Sequence, residues 1–301
     1  MTDEPPAGVR RDVPLERFST IRTGGRAEYF ARASDPQALL GLLRWAGGVK
    51  APVAVIGSGS NLLIADDGVD GLVLKLDGQL AAIELDGERL ICGTGARLPA
   101  VAARSAREGL SGIEFGVNIP GTVGGAVRMN ANAYGGQLSA VLEWVNIATA
   151  AGIERRAVGE LHLGYRSSGL EDGEILTQAS FLLSRSDPDS VKATLSTMRS
   201  ARHEAQPQGI KTFGSTFKNP DDPNAQGRTA GLLLSQAGCN GLAVGGARFA
   251  PKHANFIENT GSASTAEVLA LMAQGRSRVL ERFGVALEPE VQTLGPVTFP
   301  W

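Results

Sequence analysis

Hydrophobic positions along this chain fall into two rhythms, one of helices and one of short strands. Leu39, Leu42, Leu43 and Ala46 recur at i, i+3, i+4 and i+7 behind Ser34-Asp35-Pro36, and Gly47-Gly48 closes the run. A capping side chain followed by proline at the first helical position predicts a helix there. Pro52-Val53-Ala54-Val55-Ile56 is a short apolar run between proline and glycine, which predicts a buried strand, and Leu62 to Ile64 and Gly71 to Leu76 read the same way. Ile83-Glu84-Leu85 and Arg89-Leu90-Ile91 flank Asp86-Gly87, a hairpin signal. Leu98 to Glu108 reads as a helix closed by Gly109. Leu142 to Ala148, Ile153 to Val158 and Ile175 to Leu183 read as strands. Asp187-Pro188 opens a helix to about His203, Thr229 to Gln236 is a short one stopped by Gly238, and Ser264-Thr265-Ala266-Glu267 is a capping box for a helix ending at Phe283. The pattern predicts an α+β chain with a boundary near residues 184–190, giving domains at 1–185 and 186–301.

Composition narrows the function. The 301 residues hold 29 Lys plus Arg against 31 Asp plus Glu, a formal net charge of −2. A protein that neutralises phosphates on a nucleic acid should be more basic, so no nucleic-acid partner is expected. No apolar run approaches the ~20 residues that span a bilayer. The acidic start Met1-Thr2-Asp3-Glu4 has no apolar region of the signal-peptide kind, so a cytoplasmic protein without a membrane partner is expected. Cys92 and Cys239 form no Cys-x-x-Cys and read as packing residues, and His162, His203 and His253 have no ligand spacing, so no metal is expected.

Glycine is the unusual count, at 39 residues, and it clusters. Gly57-Ser58-Gly59-Ser60-Asn61 follows a strand directly, where backbone N–H groups could converge on an anion. A dinucleotide-binding βαβ reading does not fit, because another apolar β-type run follows and a third motif glycine is missing. By its residues alone the segment is a phosphate loop or a plain tight turn. In the second cluster, Pro120-Gly121-Thr122-Val123-Gly124-Gly125-Ala126 either begins a helix whose free N–H groups face a ligand or forms a glycine-lined crossing of two segments.

Taken together, these segments resemble the flavin fingerprint of the UDP-N-acetylenolpyruvoylglucosamine reductase (MurB) family, and further matches follow in order. Thr20-Ile21-Arg22-Thr23-Gly24-Gly25 is similar to the family's Asn-Thr-x-x-x-Gly-Gly, Gly57 to Asn61 to its Gly-x-Gly-Ser-Asn, and Ile119 to Ala126 to its Ile-Pro-Gly-Thr-Val-Gly-Gly-Ala. Tyr165-Arg166-Ser167-Ser168, Gly214-Ser215-Thr216-Phe217-Lys218-Asn219-Pro220, Lys252-His253-Ala254-Asn255-Phe256 and Leu287-Glu288-Pro289-Glu290-Val291 complete the series. The short spacing from Tyr165 to Ser215 resembles the compact second type of the family. Departures are the lead-in Gln206 to Phe213, Arg128 and Asn132 in place of smaller residues, and Gly169-Leu170 where an aromatic is common.

The resemblance implies a vanillyl-alcohol-oxidase-type FAD-binding domain of two lobes, about 17–76 and 77–185, and a C-terminal substrate domain. It implies non-covalent FAD, with NADPH as reductant, at Gly57, Ser58, Gly59, Ser60, Asn61, Pro120, Gly121, Thr122, Gly124, Gly125, Ala126 and Ile175. The family reaction reduces the enolpyruvyl ether of UDP-N-acetylglucosamine to a lactyl ether, giving UDP-N-acetylmuramate for peptidoglycan. The hydride passes from NADPH to the flavin and on to the substrate methylene, and the adjacent carbon is then protonated. The implied catalytic residues are Arg166 as a fork on the substrate carboxylate, Ser215 as proton donor, and Glu290 to polarise the carboxylate or relay a proton. Tyr165, Lys218 and Asn219 are implied substrate contacts, His253 is read as a structural hydrogen-bonding residue, and a monomer is expected. Two other readings stand beside this one: an FAD-dependent sugar or aldonolactone oxidase on the same scaffold, and a nucleotide-sugar-binding protein that does not turn over.

Overall fold

Asp35 caps the first helix as its position predicts: its carboxylate accepts the Ala38 N–H at 2.9 Å, and Pro36 opens α1 (Pro36–Gly48). The computed structural model describes residues 4–301. The chain divides into two compact units, one comprising the segment ending at Arg11 with Tyr29–Ser58 and Gly71–Arg202, the other Asp12–Glu28, Gly59–Asp70 and His203–Trp301.

α1 covers a four-stranded sheet of β1 (Arg10–Pro14), β2 (Arg26–Ala33), β3 (Val53–Val55) and β5 (Val69–Leu76), in the order β1-β2-β5-β3, of which residues 10–11, 29–33, 53–55 and 71–76 belong to the first unit. β4 (Leu62–Ile64), between β3 and β5 in the chain, belongs to the second unit. Leu39, Leu42, Leu43 and Trp45 from α1 bury against Ala31, Leu72 and Leu74. A five-stranded sheet follows, built on the expected hairpin of β6 (Ile83–Asp86) and β7 (Arg89–Gly93), which pair antiparallel with Asp86 opposite Arg89. α2 (Leu98–Arg107) and α3 (Val123–Arg128) pack on this sheet, and three two-residue strands, β8 (Leu110–Ser111), β9 (Asn132–Ala133) and β10 (Gly136–Gln137), lie in the connections. β11 (Leu142–Thr149), β12 (Gly152–Ala157) and β13 (Ile175–Leu182) complete the order β12-β11-β13-β7-β6, and β14 (Ser184–Arg185) pairs with β8. Leu98, Val101, Val123, Val127, Val145 and Phe181 form the core there.

The second unit holds a four-stranded antiparallel sheet of β15 (Lys211–Ser215), β16 (Ala243–Val244), β17 (Ala247–Phe249) and β18 (Phe256–Asn259), ordered β15-β18-β17-β16. α5 (Ala230–Gln236) and α6 (Thr265–Phe283) cover it, with Leu233, Leu234, Phe249, Val268, Leu271 and Met272 in one core. The predicted capping box forms at Ser264 and Glu267, and Asp66 also caps α6, accepting the Thr265 and Ala266 N–H groups at 2.9 Å each. β19 (Gln292–Leu294) runs parallel to β4.

These units differ from a division at residue 185. α4 (Pro188–Ala205) contributes to the first unit through Arg202, because Val191 and Leu195 bury against Ala102, Ala106 and Val117. Asp12–Glu28 and Gly59–Asp70 contribute to the second, because Ile21 and Leu63 sit in its core and β4 finds its ladder partner in β19. Both exchanges rest on contacts between residues far apart in sequence, which local periodicity does not encode. No described helix is long and apolar enough to cross a membrane.

Candidate functional site

The two glycine-rich segments meet in the first unit. A Cβ on Gly57 would lie 2.4 Å from Thr122 Oγ1, so only glycine admits this approach. Thr122 is the N-cap of α3, its hydroxyl accepting the Gly125 N–H at 3.4 Å. The segment around it is stitched to Thr94–Leu98: Val123 N–H donates to Ala96 O at 2.8 Å, Gly124 N–H to Thr94 O at 2.9 Å, and Leu98 N–H to Gly121 O at 3.0 Å. The helix expected after Pro120 therefore forms, but its leading N–H groups are satisfied within the chain instead of facing outward. A Cβ on Gly124 would meet Thr94 Cβ at 3.1 Å, whereas one on Gly125 would meet nothing nearer than Thr122 Oγ1 at 3.7 Å. Gly125 is exposed and leaves its backbone open to close approach. Pro120 is exposed, while Ala126 and Ile175 are buried in the cores, Ile175 with the α1 cluster.

Arg166 sits at the tip of a tight turn, where Gly164 and Ser167 exchange N–H···O bonds of 3.2 and 3.4 Å. Its φ of +55° is left-handed, uncommon for a residue with a side chain and a mark of a constrained position. Arg166 Nη1 donates to Asn132 Oδ1 at 3.0 Å, so Asn132, one of the departures from the family pattern, orients the guanidinium. Tyr165 beside it is 50% exposed, and Arg166 lies 5.1 Å from its ring centroid. Arg202, which sequence reading passed over, is half-buried and donates to Asn118 O in the loop leading to Pro120. Burial pushes its pKa down from the ordinary arginine range.

Within the second unit, Ser215 ends β15, and the segment that follows it runs beside residues 288–290. Glu290 N–H donates to Thr216 O, and Lys218 N–H to Glu288 O, each at 2.9 Å, with Phe217 opposite Pro289. The remainder of the first glycine loop joins them there. Asn61 Nδ2 donates to Glu290 O at 3.1 Å and Asn61 O accepts from Gln292 N–H at 3.1 Å. Ser60 O lies 3.6 Å from where a Gly214 Cβ would sit. Gly59 has φ +65°, and a Cβ on it would lie 1.9 Å from Phe18 O. Thr20 Oγ1 bridges Gly59 O at 3.1 Å and Thr212 O at 2.6 Å.

Asn255 fixes the strand that carries Ser215. Its Oδ1 accepts the Phe217 N–H at 2.9 Å, its Nδ2 donates to Phe217 O at 2.8 Å, and its own carbonyl takes the Thr216 N–H at 2.8 Å. His253 supports Asn255, its Nδ1 accepting the Asn255 N–H at 3.3 Å, and packs edge-on against Phe256 with centroids 4.8 Å apart. Burial lowers its pKa, which favours the neutral ring that this acceptor role needs. Asn255 lies in a quoted motif, yet the amide that brackets Phe217 across the sheet carries no local signal in the sequence.

Lys218, paired with Glu288 at 3.4 Å, borders an open cavity of about 440 Å³ with Gln292, Thr293, Phe299 and Trp301. Asn219 has a structural contact, its Oδ1 accepting the Ala230 N–H at 3.1 Å at the start of α5. The cysteines are both buried, and burial alone pushes the Cys92 thiol up to about 12.

A family model described as an FAD binding domain matches residues 27–157, and one described as the C-terminal domain of UDP-N-acetylenolpyruvoylglucosamine reductase matches 206–294. The second match covers the part of the chain where the reductase and oxidase readings differ, and it supports the reductase. The chain is 41% identical over 292 residues to UDP-N-acetylenolpyruvoylglucosamine reductase 2 of Symbiobacterium thermophilum, covering 96% of this chain and 93% of that protein. It is 41% identical over 306 residues to the reductase of Agathobacter rectalis, covering 97% and 95%. The crystal structure of the Thermus caldophilus reductase superposes with a TM-score of 0.82 at 34% identity, over 95% of this chain and 99% of that one. The fold is thus α+β with an FAD-binding domain of the vanillyl-alcohol-oxidase type, and the chain belongs to the UDP-N-acetylenolpyruvoylglucosamine reductase family.

Proposed function

We propose that this chain reduces the enolpyruvyl ether of UDP-N-acetylglucosamine to the lactyl ether of UDP-N-acetylmuramate, with NADPH as reductant, in peptidoglycan precursor synthesis. The observation that supports the proposal beyond family membership is the backbone bond from Glu290 N–H to Thr216 O, which sets the segments carrying Ser215 and Glu290 side by side. The residues fit FAD: Gly125 offers open backbone, and Gly57 closes against Thr122 to bring two loops together. Gly57 to Asn61, Thr122, Gly124 and Gly125 would hold it. FAD, when bound, supplies the two-electron step, taking hydride from NADPH and giving it to the enolpyruvyl methylene.

The chain's own residues supply the rest. The Arg166 guanidinium, oriented by Asn132, pairs with the substrate carboxylate as negative charge develops on it. The Ser215 hydroxyl donates the proton to the carbon next to the methylene, a role that needs a fixed donor, and Asn255 fixes its strand. Glu290 polarises the carboxylate or passes the proton on. Lys218 and Tyr165 contact the substrate's polar groups, and Asn219 acts through the turn before α5. The protein is read as a cytoplasmic monomer.

The test is an anaerobic visible spectrum of the purified protein through two additions. NADPH should bleach an oxidised-flavin band, and only UDP-N-acetylglucosamine enolpyruvate should restore it. Flavin that recovers only when air is admitted would replace this function with the oxidase.

A further inference from the structure

Lys75 is the one charged residue in the run Leu72-Val73-Leu74-Lys75-Leu76, whose other members are buried in β5. Its ammonium turns to the loop after the neighbouring strand: β3 and β5 pair parallel, with Val55 opposite Leu74, and Lys75 Nζ donates to Gly57 O at 2.6 Å. Gly57 is thus gripped twice within the first unit, at its carbonyl by Lys75 and at its Cα by Thr122. The described residues contain no cis peptide bond, and in a trans peptide the carbonyl and the following N–H point in opposite directions. With Gly57 O held toward Lys75, the Ser58 N–H points away from it, and it donates to no backbone acceptor among the described residues.

We propose that Lys75 is a positioning residue for the flavin cofactor, locking the Gly57–Ser58 peptide so that the Ser58 N–H presents to the anionic portion of the dinucleotide. The inference rests on the reading above that this loop holds FAD. A lysine suits the task because an ammonium makes a short, charge-assisted bond to a carbonyl that no apolar strand residue could make. Burial draws its pKa below the ordinary lysine range, with Arg32 acting in the same direction and Asp77 against it. The loop carbonyl therefore compensates a half-buried cation, and neither group is easily released.

The experiment titrates FAD into flavin-free protein, following fluorescence quenching, for the native chain, Lys75→Met and Lys75→Arg. Lys75→Met should weaken FAD binding by about 10- to 100-fold, the size of one charge-assisted hydrogen bond. Flavin-free Lys75→Met should keep the native far-ultraviolet circular dichroism spectrum, and Lys75→Arg should recover most of the affinity. A folded Lys75→Met that binds FAD as tightly as the native chain overturns the proposal. If Lys75→Met does not fold, Lys75→Arg decides: near-native affinity supports the role, and affinity lost in a folded protein refutes it. A native chain that takes up no FAD would fail the underlying reading instead, so the two failures are separable.

Discussion

In the first unit Gly57 lies so close to Thr122, and Gly124 to Thr94, that the loops are shaped by the absence of side chains. In the second unit the strand carrying Ser215 is shaped by their presence: Asn255 brackets Phe217, Asn61 reaches Glu290, and Thr20 bridges Gly59 to Thr212. The first arrangement leaves backbone open at Gly125; the second fixes the backbone just after Ser215. Under the proposed function these would serve different demands, since a bound cofactor needs surface complementarity and a proton donor needs orientation.

Substitutions can break the contrast, beginning with the largest effect. Ser215→Ala should slow flavin reoxidation by the enolpyruvyl substrate by about 10²–10⁴-fold, the usual loss for a positioned acid, while reduction by NADPH stays nearly native. Stopped-flow absorbance separates the half-reactions, and equal damage to both would remove Ser215 from the protonation role. Asn255→Ala orphans a buried N–H and a buried C=O and should cost about 2–6 kcal/mol in urea denaturation, at about 1–3 kcal/mol for each group. Its kcat should fall while FAD affinity holds, since the flavin loops do not depend on it.

Gly125→Ala sharpens the comparison from the other side. Gly125 has room for a methyl group and lies inside α3, so alanine should raise stability by about 0.5–1 kcal/mol. It should also weaken FAD binding by covering the open backbone; a stabilised protein with unchanged flavin affinity would show that this face meets no cofactor. The smallest effect is at His253. Its folded pKa lies below the reference value of 6.5, so the unfolded chain protonates first on acidification. Its contribution is complete above that pH and declines as pH falls through it toward the folded value. His253→Gln should flatten this part of the stability–pH curve, measured as Cm in urea from pH 7 to 5.

Much of the helical framework was legible because its signals are local. Asp35-Pro36, the Ser264–Glu267 box and Gly284 mark ends that the structure reproduces, and Asp86-Gly87 marks a real hairpin. The sheet of the second unit carries no such local signal: β16 and β17 are two and three residues long, too short to show a period. The candidate functional residues divide likewise. The glycine loops, Ser215 and Glu290 stand in linear motifs, whereas Lys75, Asn132 and Arg202 gain meaning only from partners brought to them by folding.

By itself, the sequence determined where helices begin and stop, which segments must be glycine-rich, and which family those motifs resemble, because capping, chain flexibility and motif spacing act between near neighbours. Only the tertiary structure decided that α3 keeps its leading N–H groups for Thr94, Ala96 and Thr122, that β4 pairs with β19, and that the segments of Ser215 and Glu290 lie side by side. Each of these pairs groups distant along the chain, and such pairings are chosen by the burial and hydrogen-bond satisfaction of the whole fold.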